Sequence, residues 1–496
     1  MFVSNGLAFD VEAVGLTDYA TFYSSVLSRL EKPSCHCLLY FGRLSSDHDV
    51  SLYAVVADDE AHTLEVLGAS AALSDTLLSL SAERPEMHAF ERELCESLGV
   101  KFSNHPWLKP LRYAHDRKEG GDIYDYPFFD IESEEFHRVG VGPIHAGIIE
   151  PGHFRFICEG EKIHHLEIQL GWQHRGVESL MLAKEKLLQR ATIAEGVAGD
   201  TVVGHSTAFA LMYEALAGAQ VDPRLAFDRT VALEQERIAV HTGDLSAICT
   251  DIAYQLGNAV FGRLRTPMIN FFQKWCGSRF AKSLIRPGYS NFPFTRSLAD
   301  EWIKAIEAFE PDFREMAEQM FDLPSVLSRI ERTGVVTTEL ALRLGLEGMA
   351  AKASGVARDV RASHPCLLYG GLGLEPVVKR SGDVYARARV RYEEVLQSIG
   401  NIRRLIAECP EGDERGRVSI GRLLPGKMCI SLVEGWRGVC VHAGVTDSEG
   451  RLAAYKVVDP SVHNWMGLAM AVRGNGISDF PICNKSFDLS YCGHDL

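Results

Sequence analysis

The stretch Val141–Glu178, VGPIHAGIIEPGHFRFICEGEKIHHLEIQLGWQHRGVE, constrains the fold more than any other part of the chain. Gly142-Pro143 is a turn dipeptide, and His145 and His153 follow on a segment rich in Gly and Pro. Apolar and polar residues then alternate through Phe154, Phe156, Leu166, Ile168 and Leu170, the period of two strands of a hairpin. At Gln173-His174-Arg175-Gly176-Val177-Glu178 the period changes, and Leu180, Met181, Ala183 and Leu187 begin a helical pattern. A hairpin feeding a helix at an Arg-Gly-x-Glu corner is either a stable junction or the edge of a site.

The surrounding 496 residues, 46% apolar and 24% charged, suffice for two or three domains with a large core. A net charge of -15, with Lys and Arg spread rather than clustered, argues against nucleic acid as a partner. No run of about 18 apolar residues is present, and the N-terminal MFVSNGLAFDVEAVG lacks a basic region ahead of an apolar one. The expectation is therefore no membrane span and no secretory signal, and any membrane attachment must come through partner subunits. None of the 12 cysteines forms a Cys-x-x-Cys pair, so we expect reduced cytoplasmic thiols, buried as small apolar side chains, and no metal site. In Cys35-His36-Cys37 the two thiols share one face of a strand, which favours a structural role. No Gly-x-Gly-x-x-Gly follows a strand, so the chain offers no nucleotide fingerprint, and a dinucleotide site, if any, belongs to a partner.

Taken in order, Tyr19 to Leu30 has helical spacing, Cys35 to Phe41 and Val50 to Val56 read as strands, and Ala71 to Ala82 as apolar helix or strand. Glu91 to Glu96 reads as a solvated helix face. His115 to Tyr126, charged and Gly-containing, is the linker candidate. From Glu178 to about Arg332 the pattern is mostly helical. Asp222-Pro223 supplies a helix N-cap and first residue, and Ile238, Leu245, Ile248, Ile252 and Leu256 mark one buried stripe beyond it. A second long helix runs from Gly382-Asp383-Val384 to about Glu408, with Val384, Val395, Ile399, Ile402 and Leu405 on its inner side. Residues 410–417, PEGDERGR, read as a polar loop, Met428 to Leu432 and Val439 to Val445 as strands, and Asp447 to Gly450 as the turn that follows.

Several of these motifs resemble, in order, the large subunit shared by membrane-bound energy-converting nickel-iron hydrogenases and the quinone-side subunit of respiratory complex I. They are the Gly142-Pro143-x-His145 loop with its hairpin, His174-Arg175-Gly176-x-Glu178, Ile285-Arg286-Pro287-Gly288, Arg332-Thr333-Gly334-Val335, Ala353 to Asp359, and Gly382 to Arg387. Glu91-Arg92-Glu93, Leu98-Gly99-Val100, His105-Pro106 and Pro110-Leu111-Arg112 resemble the C-terminal signature of the small α/β subunit that docks onto it. The resemblance implies an α+β fold with three parts. Residues 1–113 would form a small-subunit-like α/β domain and 114–126 a linker. Residues 127–496 would form a mainly α-helical hydrogenase-large-subunit-like domain with β-hairpins.

In the hydrogenases, two Cys-x-x-Cys pairs hold nickel, one after the Arg-Gly-x-Glu helix and one near the C-terminus. Here the first region reads AEGVAGDTVVGHST, residues 194–207, with Ala198 and Thr201 in the thiolate positions, and the second reads Ser490-Tyr491-Cys492-Gly493. Soft thiolates are what such a centre needs, so an active nickel hydrogenase is not expected. In complex I the vacated cavity takes a quinone headgroup. His145 matches the loop His of that site and Asp251 the Asp on the later helix, whereas the family's Tyr is replaced by Ala183. Glu178 matches a proton-carrying carboxylate, or is simply an acid at a helix N-terminus. Arg437 matches an arginine near the metal centre. His145, Glu178 and Asp251 are thus the catalytic candidates, and His153, His205 and Arg437 the candidate ligand contacts. His205, Asp251, Glu178 and Arg437 are expected to form a buried polar network, which could relay protons or merely satisfy itself.

The implied function is electron transfer to a quinone-like acceptor, coupled to ion translocation, at the cytoplasmic face of the membrane. An iron-sulfur small subunit and antiporter-like membrane subunits would be partners, the clusters lying in the partner and no cofactor being tightly held by this chain. The alternative is a non-catalytic coupling or assembly subunit that keeps the fold alone.

Overall fold

The protein is described by a computed structural model covering residues 1–118, 121–145, 150–409 and 416–496. Apart from its last two residues, the polar loop expected over 410–417 lies outside the described residues, as do two residues of the expected linker.

The N-terminal unit is an antiparallel sheet of Phe2–Val3, Thr63–Ala72, Asp49–Asp58 and Cys35–Leu44, in that spatial order, covered by the helix Tyr19–Leu30. Phe22, Val26 and Leu30, at helical spacing, pack that helix on the sheet. The expected strands over Cys35–Phe41 and Val50–Val56 are present and longer than the pattern suggested. Ala71 to Ala82 is neither one helix nor one strand, but the end of Thr63–Ala72, a short strand Thr76–Leu78 and a single 3-10 turn.

The helix His88–Leu98 overturns one expectation. Glu91 and Glu96 are buried, because they serve backbone donors of neighbouring turns. Glu91 accepts from Leu80 N at 2.7 Å and from the Ser79 and Ser81 hydroxyls, and Glu96 accepts from Leu111 N, Arg112 N and Ala114 N at 2.8–3.0 Å. Hydrogen-bonded burial of a carboxylate is tolerated where several donors meet it.

The large unit holds the hairpin His153–Glu159 and Lys162–Gln169, with a third strand, His137–Val141, on its outer edge. Helices Val177–Ala183, Leu187–Ala194, Val202–Leu216, Pro223–Asp251, Gln255–Cys276 and Arg296–Asp322 follow. Asp222 caps the fourth through Arg224 N at 2.8 Å, and Asp383 caps Val384–Ala407 through Ala386 N. The buried stripe ends sooner than its spacing suggests. Ala253 at φ 59 breaks the helix after Asp251, which leaves Leu256 exposed at the start of the next one.

The strands Lys427–Glu434, Val439–Thr446 and Leu452–Val458 form the last sheet, and its free edge takes Ala8–Asp10 from the far N-terminus. Residues of both units share one apolar core there, Leu39 and Val55 lying with Ile430 and Val441. The candidate site residues lie around this sheet and the C-terminal helices Phe480–Phe487 and Tyr491–Asp495.

Candidate functional site

The Arg-Gly-x-Glu corner is first of all a clamp. Gly176 adopts φ 66, which lets the chain turn from the hairpin into the helix Val177–Ala183. The Arg175 guanidinium donates to Gly196 O, to Val197 O at 3.0 Å and to Cys492 O at 2.7 Å. It thereby joins the segment around Ala198 to the C-terminal segment. Glu178 accepts from Val457 N at 3.0 Å and pairs with Lys456 at 3.1 Å.

His145 and Asp251 line one cavity of about 710 Å³, with Phe154, Lys485, Asp488 and Tyr491 among the other wall residues. His145 Nε2 lies 2.7 Å from Gly152 O, and its ring stands edge-on to Phe154, centroids 5.7 Å apart. The four residues after His145 lie outside the described residues. Burial pushes the Asp251 carboxyl above its usual range. Lys485 pairs with Asp488 at 2.7 Å and, against the effect of burial, holds that carboxyl well below the usual range. Asp488 in turn hydrogen-bonds Asp244, which burial and this neighbour push up to about 7 while Arg391 holds it at 2.8 Å. The cavity wall is thus backed by a carboxyl-carboxylate pair that holds one proton near neutral pH.

Tyr491 is the group that sequence reading missed. It stands edge-on to Trp465, centroids 4.9 Å apart, hydrogen-bonds Asn484, and has its phenol pushed up to about 12 by burial. The backbone at Gly152 runs against its ring, so closely that a Cβ there would come within 2.7 Å. A tyrosine is therefore present opposite His145, from the C-terminal helix rather than from the helix holding Ala183. A Tyr within Ser490-Tyr491-Cys492-Gly493 was the available signal.

The remaining candidates do not join into one network. His205 bonds Asp459 at 2.9 Å and His442 at 3.0 Å, fully buried. Arg437 holds Asp200 through two bonds, at 2.9 and 2.7 Å, and donates to Thr201 Oγ1 at 3.1 Å and to Asp488 O. Glu178 sits with Lys456, and Asp251 faces the cavity. The reason is that a nearer partner meets each side chain first. His153 opens its strand half-buried, edge-on to Phe128 at 4.8 Å, and is not among the cavity wall residues.

Residues 257–420 match the family described as respiratory-chain NADH dehydrogenase, 49 Kd subunit. Among curated proteins, the chain is 28% identical over 354 residues to the carbon monoxide-induced hydrogenase of Rhodospirillum rubrum, covering 71% of this chain and 97% of that protein. It is likewise 28% identical over 364 residues to an NADH-quinone oxidoreductase subunit of Dehalococcoides mccartyi strain 195, covering 72% and 98%. The structure of an archaeal respiratory membrane complex, the membrane-bound sulfane sulfur reductase, contains a chain with the same fold. The TM-score is 0.68 at 21% identity, over 74% of this chain and 100% of that one. The chain is thus similar to the complex I 49 kDa and hydrogenase large subunits.

The positions that resemble the nickel-thiolate places of the hydrogenases can be tested for their fit to a metal. Ala198 is buried without a donor, the Thr201 hydroxyl accepts from the Arg437 cation, and Ser490 Oγ accepts from Gly493 N at 2.9 Å. Cys492 lies 3.4 Å from Ser490 Oγ, its thiol pushed up to about 11 by burial and by Glu150. One protonated thiol, two hydroxyls and a guanidinium do not fit a soft, thiolate-bound metal. Among the described residues of this large-subunit-like chain, no helix is long and apolar enough to cross a bilayer.

Proposed function

We propose that this chain is the large subunit of a membrane-associated, complex I-like oxidoreductase whose electrons pass to a quinone-like acceptor, with residues 1–113 acting as a fused small-subunit-like unit. The observation that carries the reading is the single cavity shared by His145, Asp251 and Tyr491. Its volume suits a ring-sized ligand, Phe154, Phe480 and Tyr491 offer rings for stacking, and His145, Asp251 and Tyr491 bring polar groups to its wall. Tyr491 would donate a hydrogen bond to one carbonyl, and His145, whose Nε2–H is given to Gly152 O, would donate to the other from Nδ1 when its ring is protonated. Asp251 and the Asp244–Asp488 pair would resupply protons as the ring is reduced. The electrons would come from an iron-sulfur partner, and antiporter-like membrane subunits would hold the chain at the cytoplasmic face. Nickel chemistry forms no part of the proposal, because Ala198, Thr201 and Ser490 lack the thiolates it requires.

The test is quinone-dependent turnover of the assembled complex carrying His145→Gln or Asp251→Asn. Loss of a positioned proton donor lowers such a rate by roughly 10²–10⁴-fold. Unchanged turnover in both variants would leave the chain as a coupling or assembly subunit.

A further inference from the structure

Two kinds of polar assembly are buried in this protein. Around Lys352 the members include Arg237 and Arg361, with Glu234, Asp359, Glu394 and Glu434 as counter-ions. An arginine keeps its proton under all ordinary conditions, so such a cluster holds charge in place.

The second assembly contains no Arg or Lys. The Tyr455 hydroxyl lies 2.7 Å from His442 Nδ1, His442 Nε2 lies 3.0 Å from His205 Nδ1, and His205 Nε2 lies 2.9 Å from Asp459 Oδ2. His205, His442 and Asp459 are sealed from solvent, and Tyr455 nearly so. Both nitrogens of both imidazoles are used inside the chain, so each ring accepts on one side and donates on the other. An unbroken run of amphoteric groups is what proton transfer needs.

The two ends face different places. Tyr455 lies on the wall of a cavity of about 310 Å³ that also holds Glu93, Glu178, Lys456 and His174. Asp459 lies at the other end, accepting also from Ser461 N at 2.8 Å, and Gly493 approaches it so closely that a Cβ would sit 2.7 Å from its carboxylate. Phe209 closes the side of the run, its ring 6.4 Å from those of both His442 and Tyr455.

We infer that Tyr455, His442, His205 and Asp459 form a proton relay running inward from the Glu178 cavity. With Asp459 ionised, His205 Nε2–H donates to it, His442 Nε2–H donates to His205 Nδ1, and the Tyr455 O–H donates to His442 Nδ1. One concerted shift breaks these three bonds to hydrogen and forms three others, at His442 Nδ1, His205 Nδ1 and the Asp459 carboxyl. Both imidazoles end neutral with their tautomers exchanged, a water molecule in the Glu178 cavity supplies the proton that the Tyr455 oxygen regains, and the Asp459 carboxyl holds the delivered proton until the reverse shift. No electron moves, and the reverse shift carries a proton outward. The use of the relay in turnover rests on the acceptor reading above, whereas conduction along it does not.

The test is exchange of the imidazole N–H protons with water, followed by NMR on the full chain labelled with ¹⁵N-histidine. In the wild type the His205 and His442 protons should exchange faster than the backbone amides of Val439–Thr446 and Leu452–Val458 around them. Tyr455→Phe removes one oxygen and should slow imidazole exchange by roughly tenfold or more while those amides keep their rates. Imidazole protons as slow as the amides in the wild type would mean entry by local opening, and would overturn the relay. Equal imidazole rates in wild type and Tyr455→Phe would overturn it as well. Should Tyr455→Phe not fold, His442→Gln replaces it, because an amide keeps a donor and an acceptor but cannot exchange tautomers. Slowed exchange at His205 supports the relay, and an unchanged rate overturns it. No acceptor is added in this experiment, so its failure leaves the quinone reading standing, and silent His145 and Asp251 variants leave the relay standing.

Discussion

Replacing Lys352 by Met should destabilise the large unit in a way that depends on pH. The ammonium lies 2.6 Å from Glu394, 3.1 Å from Asp359 and 3.3 Å from Glu434, all essentially without solvent contact. With Arg237, Arg361 and Glu234 the cluster sets three cations against four carboxylates. Burial and the neighbouring Asp359 push Glu434 up to about 7, so a proton held there near neutral pH balances the count. Removing one member of a buried ion cluster costs about 3–5 kcal/mol, because the partners keep their desolvation penalty. An unfolding entropy of roughly 2.1 cal/mol/K per residue gives about 1 kcal/mol/K for this chain, so the melting temperature should fall by roughly 3–5 °C. The sign with pH follows from which state binds more protons. Without the ammonium, Glu434 rises further and Glu394 loses the Lys352 charge that holds it well below its usual range, so the folded state keeps protons that the unfolded chain releases above about 4.3. The deficit should therefore grow as pH rises through the carboxylate range, and shrink in acid. Thermal melts of the purified chain at about pH 5 and pH 8 measure both effects. A variant melting within about 1 °C of the wild type at both values would refute the reasoning, since that is under a third of the expected shift.

His36 lies 2.6 Å from Glu347 and 3.3 Å from Asp59. Burial alone would lower its pKa, but these carboxylates outweigh that and lift it to about 9. Its stabilisation is whole below the unfolded value of about 6.5 and is lost as pH rises through about 9. His36→Gln should thus melt lower near pH 6 and show a flatter melting profile up to pH 9, whereas a profile parallel to the wild type would count against the assignment. Gly382 adopts φ 65, and a Cβ there would lie 1.9 Å from Val336 O. Gly382→Ala should cost about 3 kcal/mol or more, read as a lower denaturation midpoint, and a midpoint equal to the wild type would show that the backbone yields freely.

Features that depend on neighbours a few residues away were legible in the sequence. The caps at Asp222 and Asp383 bond amides two or three residues on, and the hairpin from His153 declares itself by its alternation. His145 and Asp251, placed by motif rather than by pattern, do meet in one cavity. Groups whose partners are far along the chain were hidden. His205 finds Asp459 254 residues later and His442 237 residues later, so nothing local marked either contact. Glu91 and Glu96 misled for the same reason, their donors being backbone amides of turns that no side-chain pattern records. The stripe through Leu256 failed because an alanine, not a Gly or Pro, takes the left-handed conformation that ends the helix.

The pairing of Ala8–Asp10 with Lys427–Cys429 has a consequence in time. During synthesis the early strand emerges about 420 residues before its partner, which at roughly 5–20 residues per second is a wait of about 20–80 s. Throughout that interval the first hundred residues can close their own sheet but cannot hide the apolar face that later meets Ile430 and Val441. A nascent chain of this protein therefore carries an unfinished surface until the strands Lys427–Glu434 and Val439–Thr446 are made, and that is when a chaperone would be expected to hold it.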